Sequence, residues 1–287
     1  RFEQKISQKT RLEVVTEGIL TRLIHEDNSL EDIGLIIFDE FHERSIHADL
    51  AMAFSKEIQG VLRQDLRILV MSATINMPEL AQRLNAVEVE SKGRMYPVEV
   101  HYEGDSDWKI LPEMIHQTLK KAIKKQAGDV LVFLPGQGEI KKCEDVLRRS
   151  FTDLKITPLY GQLSPSKQFA AIMPDKEGRR KVILATNIAE TSLTVEGIKI
   201  VIDSGFERVA KFNPKSGLSR LETIQISKES ADQRKGRAGR LTEGVCYRLW
   251  SKVSQSRMKE QGTPEIEQAD LTSLVLDLAK WGITDPN

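Results

Sequence analysis

The chain has 287 residues, and 42 Lys+Arg balance 42 Asp+Glu, so no net field draws it to a polyanion and any nucleic-acid surface must be a local patch. That length suits one large or two ordinary domains with a buried core. Cys143 and Cys246 lie far apart without metal spacing, which reads as reduced thiols in a cytoplasmic protein; no apolar run approaches the ~18 residues of a membrane span, and no signal-peptide pattern opens the chain.

Along the chain, short apolar runs alternate with longer amphipathic stretches. Strands are predicted at Leu35–Phe38, Ile68–Met71, Val130–Leu134, Ile156–Tyr160, Lys181–Ala185, Ile198–Ile202 and Val245–Leu249. Helices are predicted at Asp49–Leu62, Leu111–Lys125, Glu139–Arg149 and Ser164–Met173. Strands apolar on both faces and separated by helices imply an α/β fold, with a parallel sheet covered on both sides. Turn and acidic residues from Glu103 to Asp107 read as a linker. Phe206–Ile226 differs: Asn213-Pro214-Lys215-Ser216-Gly217 separates two alternating runs, which predicts a β-hairpin projecting from the sheet. Asp270–Trp281 reads as a helix with a Leu/Val stripe that stops at Gly282 and Asp285-Pro286.

The chemistry gathers at strand ends. Asp39 and Glu40 follow the run Leu35-Ile36-Ile37-Phe38, where open parallel sheets collect ligands. A hydrated Mg²⁺ on nucleotide phosphates needs one or two carboxylates, a role open to Asp39; Glu40 is placed to polarise an attacking water. A solvated acidic loop is the ordinary alternative for an isolated Asp-Glu, and His42 alone carries no more weight. Later stretches favour the chemical reading. Ser72-Ala73-Thr74 ends a second strand with two hydroxyls. A hydroxyl-rich turn runs from Thr186 to Thr194 after a third. Gln233-Arg234-Lys235-Gly236-Arg237-Ala238-Gly239-Arg240 sets Arg237 and Arg240 three apart, on one face if helical, with glycines in phase beside them. Guanidinium forks aimed at a phosphate suit that spacing, and such groups act on charge that builds in the transition state.

In this order the stretches resemble the motifs of superfamily 2 helicases, specifically the DEAH-box branch, over nearly the whole chain. Thr16-Glu17-Gly18 is similar to motif Ib, Asp39-Glu40-Phe41-His42 to motif II and Ser72-Ala73-Thr74 to motif III. Val132-Phe133-Leu134-Pro135-Gly136 is similar to motif IV, Thr186 to Thr194 to motif V, and Gln233 to Arg240 to motif VI. Phe41, with Leu159-Tyr160-Gly161-Gln162-Leu163-Ser164, resembles the bacterial HrpB-like branch. The resemblance implies two RecA-like parallel-sheet domains, the first incomplete, with ATP between them and Mg²⁺ at Asp39 and Glu40. It implies that His42 meets Gln233, that Ser192 and Gln233 sense the terminal phosphate, and that Arg237 and Arg240 are the fingers. Thr194 and Glu196 would lie near the ribose, Ser72 and Thr74 would serve the nucleotide site, and Thr16, Gly136 and Thr186 would touch the nucleic-acid backbone. It further implies an ATP-dependent helicase or translocase on single-stranded or partly duplex RNA, with little base specificity. A DNA-directed translocase and a non-catalytic RNA-binding module are the alternatives. Glu17 and Glu196 stand where the family often has Asp. Ile172 stands where eukaryotic relatives carry an aromatic against adenine, so use of other nucleoside triphosphates is expected.

No Gly-x-x-x-x-Gly-Lys-[Ser/Thr] phosphate loop occurs in the 287 residues. By the resemblance it would precede Arg1, and the chain is expected to be a fragment inactive by itself. Residues 1–94 are then the back part of domain one, 95–266 domain two, and 267–287 the start of a winged-helix region. Domain one is expected to show local disorder or self-association.

Overall fold

The computed structural model describes residues 6–285, except 8, 74–76, 92, 94, 95, 106 and 191–194. The chain divides into two compact units, one of residues 1–89 with 263–287 and one of residues 90–262.

The first unit contains α1 (Glu17–Glu26), β1 (Leu35–Phe38), α2 (Ile46–Val61), β2 (Arg67–Val70) and α3 (Met77–Leu84). The strands β1 and β2 pair in parallel, with Ile36 opposite Ile68 and Phe38 opposite Val70. Because strand side chains alternate, those four face a core shared with Phe54 and Ile58 of α2. Leu35, Ile37, Leu69 and Met71, on the other face, are exposed, so this small sheet is covered on one side only, unlike the expected two. Ser45 starts α2 by accepting the Ala48 N–H at 3.1 Å. A C-terminal helix, Thr272–Trp281, returns to this unit and adds Leu274, Leu278 and Trp281 to its core. The Trp281 ring stacks on Phe54 at 4.3 Å, and its Nε1–H donates to Glu57 at 2.8 Å. The helix stops at Gly282, whose φ of 101° suits glycine alone.

The second unit contains β3 (Val98–Tyr102), α4 (Leu111–Lys125), β4 (Asp129–Phe133), α5 (Gln137–Ser150), β5 (Lys155–Leu159), α6 (Pro165–Ile172), β6 (Lys181–Ala185), β7 (Ile198–Asp203), β8 (Phe206–Asn213), β9 (Leu218–Gln225), α7 (Lys228–Gly236), β10 (Gly244–Arg248) and α8 (Lys252–Arg257). Six strands form one parallel sheet in the order β3-β10-β7-β4-β6-β5. Here both faces are buried: Val132, Leu184 and Ile202 pack with Leu119 of α4 on one side, and Leu131, Ile183 and Val201 with Ala238 on the other. The edge strand β3 lies outside the predicted set. Residues 103–107 belong to this unit. Glu103 and Asp105 are tied to the end of β10 and the residues just after it, with the Glu103 N–H donating to Arg248 O and the Ser251 N–H to Asp105, each at 2.9 Å. The strands β8 and β9 make the expected antiparallel hairpin as a sheet of their own, turning through Asn213–Gly217. Among the described residues no helix is long and apolar enough to cross a membrane.

A buried cation holds the carboxyl edge of the large sheet. Arg234 of α7 is 1% exposed. Its Nε donates to Glu190 at 2.8 Å; its Nη1 donates to Asp203 at 3.0 Å and to Phe206 O at 3.3 Å. The guanidinium lies 5.0 Å from the Phe133 ring centroid. Burial alone would pull its pKa down; Asp203 and Glu190 outweigh burial and hold it above the ordinary arginine value.

Replacing Arg234 with Met leaves two buried carboxylates without a counter-charge. The expected loss is about 3–5 kcal/mol of stability in the second unit, read by urea denaturation. Adding Asp203→Asn and Glu190→Gln should recover most of it. Cys143 and Cys246 are free and buried, and burial pushes both thiols up to about 12. Neither should react with a thiol reagent at pH 8 until the chain is unfolded, as a labelling time course with and without urea would show.

Candidate functional site

In the first unit β1 delivers two acids to its carboxyl end. Asp39 is exposed, and its Oδ1 accepts the Glu40 N–H at 2.9 Å, which orients the carboxylate. Glu40 adopts φ 51°, ψ 36°, a left-handed conformation that strains any residue with a side chain. The 3₁₀ turn Phe41–Glu43 follows, and Arg44 is again left-handed at φ 50°. Neighbouring contacts hold this shape. The Phe41 ring is buried 6.1 Å from Phe38, its N–H donates to Met71 O at 3.0 Å, and the Met71 N–H donates to Phe38 O at 2.8 Å. The end of β2 is thereby stitched to the acidic turn, and half-buried Ser72 is the next residue. Thr74 lies outside the described residues. His42 has a side chain only 4% exposed, with Nδ1 3.5 Å from Glu40 Oε2; among the described residues neither ring nitrogen has a hydrogen-bond partner. A buried imidazole in that state is costly, and such groups recur where a ligand or partner completes a site.

The described residues contain no group of three His, Cys, Asp or Glu able to cage a metal. Mg²⁺ does not need one: it keeps several waters and takes one or two carboxylates plus phosphate oxygens, for which exposed, oriented Asp39 is suited. Elsewhere in this unit, exposed Thr16 is the N-cap of α1, and its hydroxyl makes no capping bond.

In the second unit the candidates separate to two edges of the sheet. At the amino edge α7 ends at Gly236 and tightens into a 3₁₀ turn, Arg237–Gly239. The spacing of Arg237 and Arg240 thus falls on a 3₁₀ turn rather than an α-helix, and residues three apart eclipse there. Arg237 is buried, Arg240 exposed and Gln233 half-buried. Gly239 has a packing reason: a Cβ there would meet Tyr96 O and Val98 Cγ2, each at 2.6 Å, beside the start of β3. Exposed Glu196 precedes β7 at the same edge. Ser192 and Thr194 lie outside the described residues.

At the carboxyl edge β4 and β6 are paired neighbours, so Gly136 and Thr186 emerge side by side. Thr186 is half-buried and caps the 3₁₀ turn Asn187–Ala189 without using its side chain. Gly136, the N-cap of α5, is buried because Arg208 of the hairpin lies over it; a Cβ at Gly136 would sit 2.9 Å from Arg208 Nη1. The Arg208 Nη2 donates to buried Glu139 at 3.1 Å, which fastens the root of the hairpin to the start of α5. Sequence reading missed Arg208 and Arg234; the hairpin's alternation and the basic run before Arg237 were visible, but the partners were not.

Comparison with known proteins identifies the family. A model of the DEAD/DEAH box helicase family matches residues 2–82, and one of the helicase conserved C-terminal domain matches residues 111–242. The chain is 47% identical to the ATP-dependent RNA helicase HrpB of Escherichia coli, over 100% of this chain and 36% of that protein. It is 40% identical to the ATP-dependent RNA helicase HrpA of Borreliella burgdorferi, over 99% of this chain and 35% of that protein. A crystal structure of the E. coli DEAH/RHA helicase HrpB superposes with a TM-score of 0.91 at 46% identity, covering 98% of this chain and 36% of that one. A second, of the E. coli DExH-box NTPase HrpB, gives a TM-score of 0.88 at 46% identity, with 98% and 35% covered. The chain thus spans roughly a third of the length of these relatives, and its parallel sheets are RecA-like. It belongs to the DEAH-box family of superfamily 2 helicases, in the HrpB-like branch.

Proposed function

We propose that the full-length protein carrying these residues is an ATP-dependent RNA helicase that couples nucleoside-triphosphate hydrolysis to movement on single-stranded nucleic acid. The observation that carries this reading is the acid pair at the end of a parallel strand, with Glu40 held in a left-handed conformation. Asp39 would hold Mg²⁺, which when bound neutralises phosphate charge, and Glu40 would orient and polarise the attacking water. His42 and Gln233 would relay closure to chemistry. Ser192, Thr194 and Glu196 would serve the nucleotide, with Ser72 and Thr74 coupling it to the acidic turn. Arg237 and Arg240 would stabilise charge on the transferring phosphoryl group. Thr16, Gly136 and Thr186 would take the nucleic-acid backbone, which gives grip without base reading. In this reading residues 1–94 and 95–266 are RecA-like domain portions, and 267–287 open the region after them. The aliphatic Ile172 suits loose nucleotide choice.

The test is ATP turnover of the full-length protein. Glu40→Gln should lower the rate by roughly a hundredfold or more while ATP still binds, and Arg240→Ala should lower it steeply with binding likewise retained. Stimulation by single-stranded RNA above matched DNA is expected; the reverse order would make it a DNA translocase, and no turnover at all a binding module. A polypeptide of these 287 residues alone should turn over far more slowly, since none of them forms the phosphate loop. The hairpin supplies a separate prediction. If the hairpin is a wedge that parts a duplex, deleting its turn, Asn213–Gly217, should impair duplex unwinding and spare ATPase; equal loss of both would overturn the wedge role.

A further inference from the structure

The chain returns to the first unit at residue 263 and touches the acidic turn almost at once. The Glu265 N–H donates to Arg44 O at 3.3 Å, and its carboxylate Oε2 accepts the Ile46 N–H at 2.9 Å. These two bonds grip both sides of Ser45, where the turn that began at Asp39 becomes α2. Arg44 needs such a grip, because its left-handed backbone is strained. Its side chain adds another, with Nε 3.1 Å from Asp49 Oδ1 in the first turn of α2. The carboxylate is also well placed electrostatically, satisfying one of the open N–H groups at a helix N-terminus.

The gripping segment is itself stiff. Residues Glu265–Glu267 form a 3₁₀ turn; the Gln268 and Ala269 N–H groups both donate to Glu265 O at 2.9 Å, and Gln268 Nε2 donates to Thr263 O at 2.9 Å. Beyond it the Trp281 stack on Phe54 anchors the C-terminal helix to the same unit. A braced turn thus meets a strained one, and the strained one carries the acids.

We infer that Glu265 is a positioning residue for the acid pair: by fixing the Arg44–Ile46 exit it holds the Phe41–Glu43 turn, and with it the orientation of Asp39 and Glu40. The inference rests on the proposed nucleotide chemistry of that pair and goes beyond it. It assigns a role in turnover to a segment more than two hundred positions away in sequence.

The full-length protein tests it. Glu265→Ala should lower the RNA-stimulated kcat for ATP about tenfold and change KM by less than about twofold, because orientation is lost rather than binding. Glu265→Gln keeps an acceptor oxygen for the Ile46 N–H and should stay near wild type. Ile46→Pro removes the same bond from the other side. It is compatible with the fold, since proline suits the first position of a helix and Ser45 already has the extended φ −68°, ψ 147° that precedes proline. It should reproduce the Glu265→Ala loss, and the double variant should be no worse than either single one. Hydrogen exchange at the amides of residues 44–47 gives a readout independent of activity, and Glu265→Ala should accelerate it about tenfold. A kcat within twofold of wild type for both single variants, or unchanged exchange in Glu265→Ala, would overturn the inference. A wild-type protein that hydrolyses no nucleotide would instead overturn the reading of the acid pair, and the exchange measurement alone would then decide whether Glu265 holds the turn.

Discussion

A charged guanidinium without water is tolerated only when its donors are answered by acceptors, and in the second unit that constraint sets the architecture. The partners of Arg234 come from four places: Glu190 after β6, Asp203 at the end of β7, Phe206 at the start of the hairpin and Phe133 on β4. Each must arrive in register for the cation to stay buried. The carboxyl edge of the sheet, the root of the hairpin and the helix that leads to Arg237 are therefore one electrostatic assembly. A second buried arginine, Arg248, extends it: its Nη2 donates to Ala231 O at 3.1 Å and to Asp232 at 2.9 Å, and its Nη1 to Tyr102 at 3.1 Å, joining α7, β10 and β3.

The first unit is held by other means. Its core is aliphatic and aromatic, and its acidic turn holds strained backbone in place by packing. Two left-handed residues, Glu40 and Arg44, bracket a single 3₁₀ turn. The strain persists because Phe41 is buried beside Phe38 and because β2 returns a hydrogen bond to each side of the acids. A surface acid pair with no such support would be free to reorient. Here the Glu40 N–H donates to Asp39 Oδ1, and the backbone on either side of the pair is bonded to Met71.

Much of the fold was legible because fully buried strands write themselves as unbroken apolar runs. Five of the seven predicted strands became members or neighbours of the cores as read, and Leu35–Phe38 and Ile68–Met71 did so over the half of their residues that face inward. The edge strand Val98–Tyr102 escaped because Val-Glu-Val-His-Tyr alternates and is only half buried. Helix α1 escaped because Gly18 lies in its first turn. Of the site, the candidates could be listed from motif order and placed on strand ends. Their supports could not. Arg234 meets Asp203 across 31 positions and Glu190 across 44, Arg208 meets Glu139 across 69, and Ile46 meets Glu265 across 219. Pairings at such separations leave no local pattern. Gly239 sits in phase with the arginines in sequence, and the close approach of Tyr96 O and Val98 Cγ2 that requires it is not visible there.

The return of residues 263–281 to the first unit has a consequence for biogenesis. A ribosome emits the strands of that unit early, yet the Trp281 ring that closes its core emerges only after the whole second unit has been made. The intervening 173 residues can complete their own sheet first, leaving an open apolar surface near Phe54 waiting behind them. Until Trp281 has emerged the apolar face around Phe54 stays uncovered, so the earlier-made unit is the later to mature.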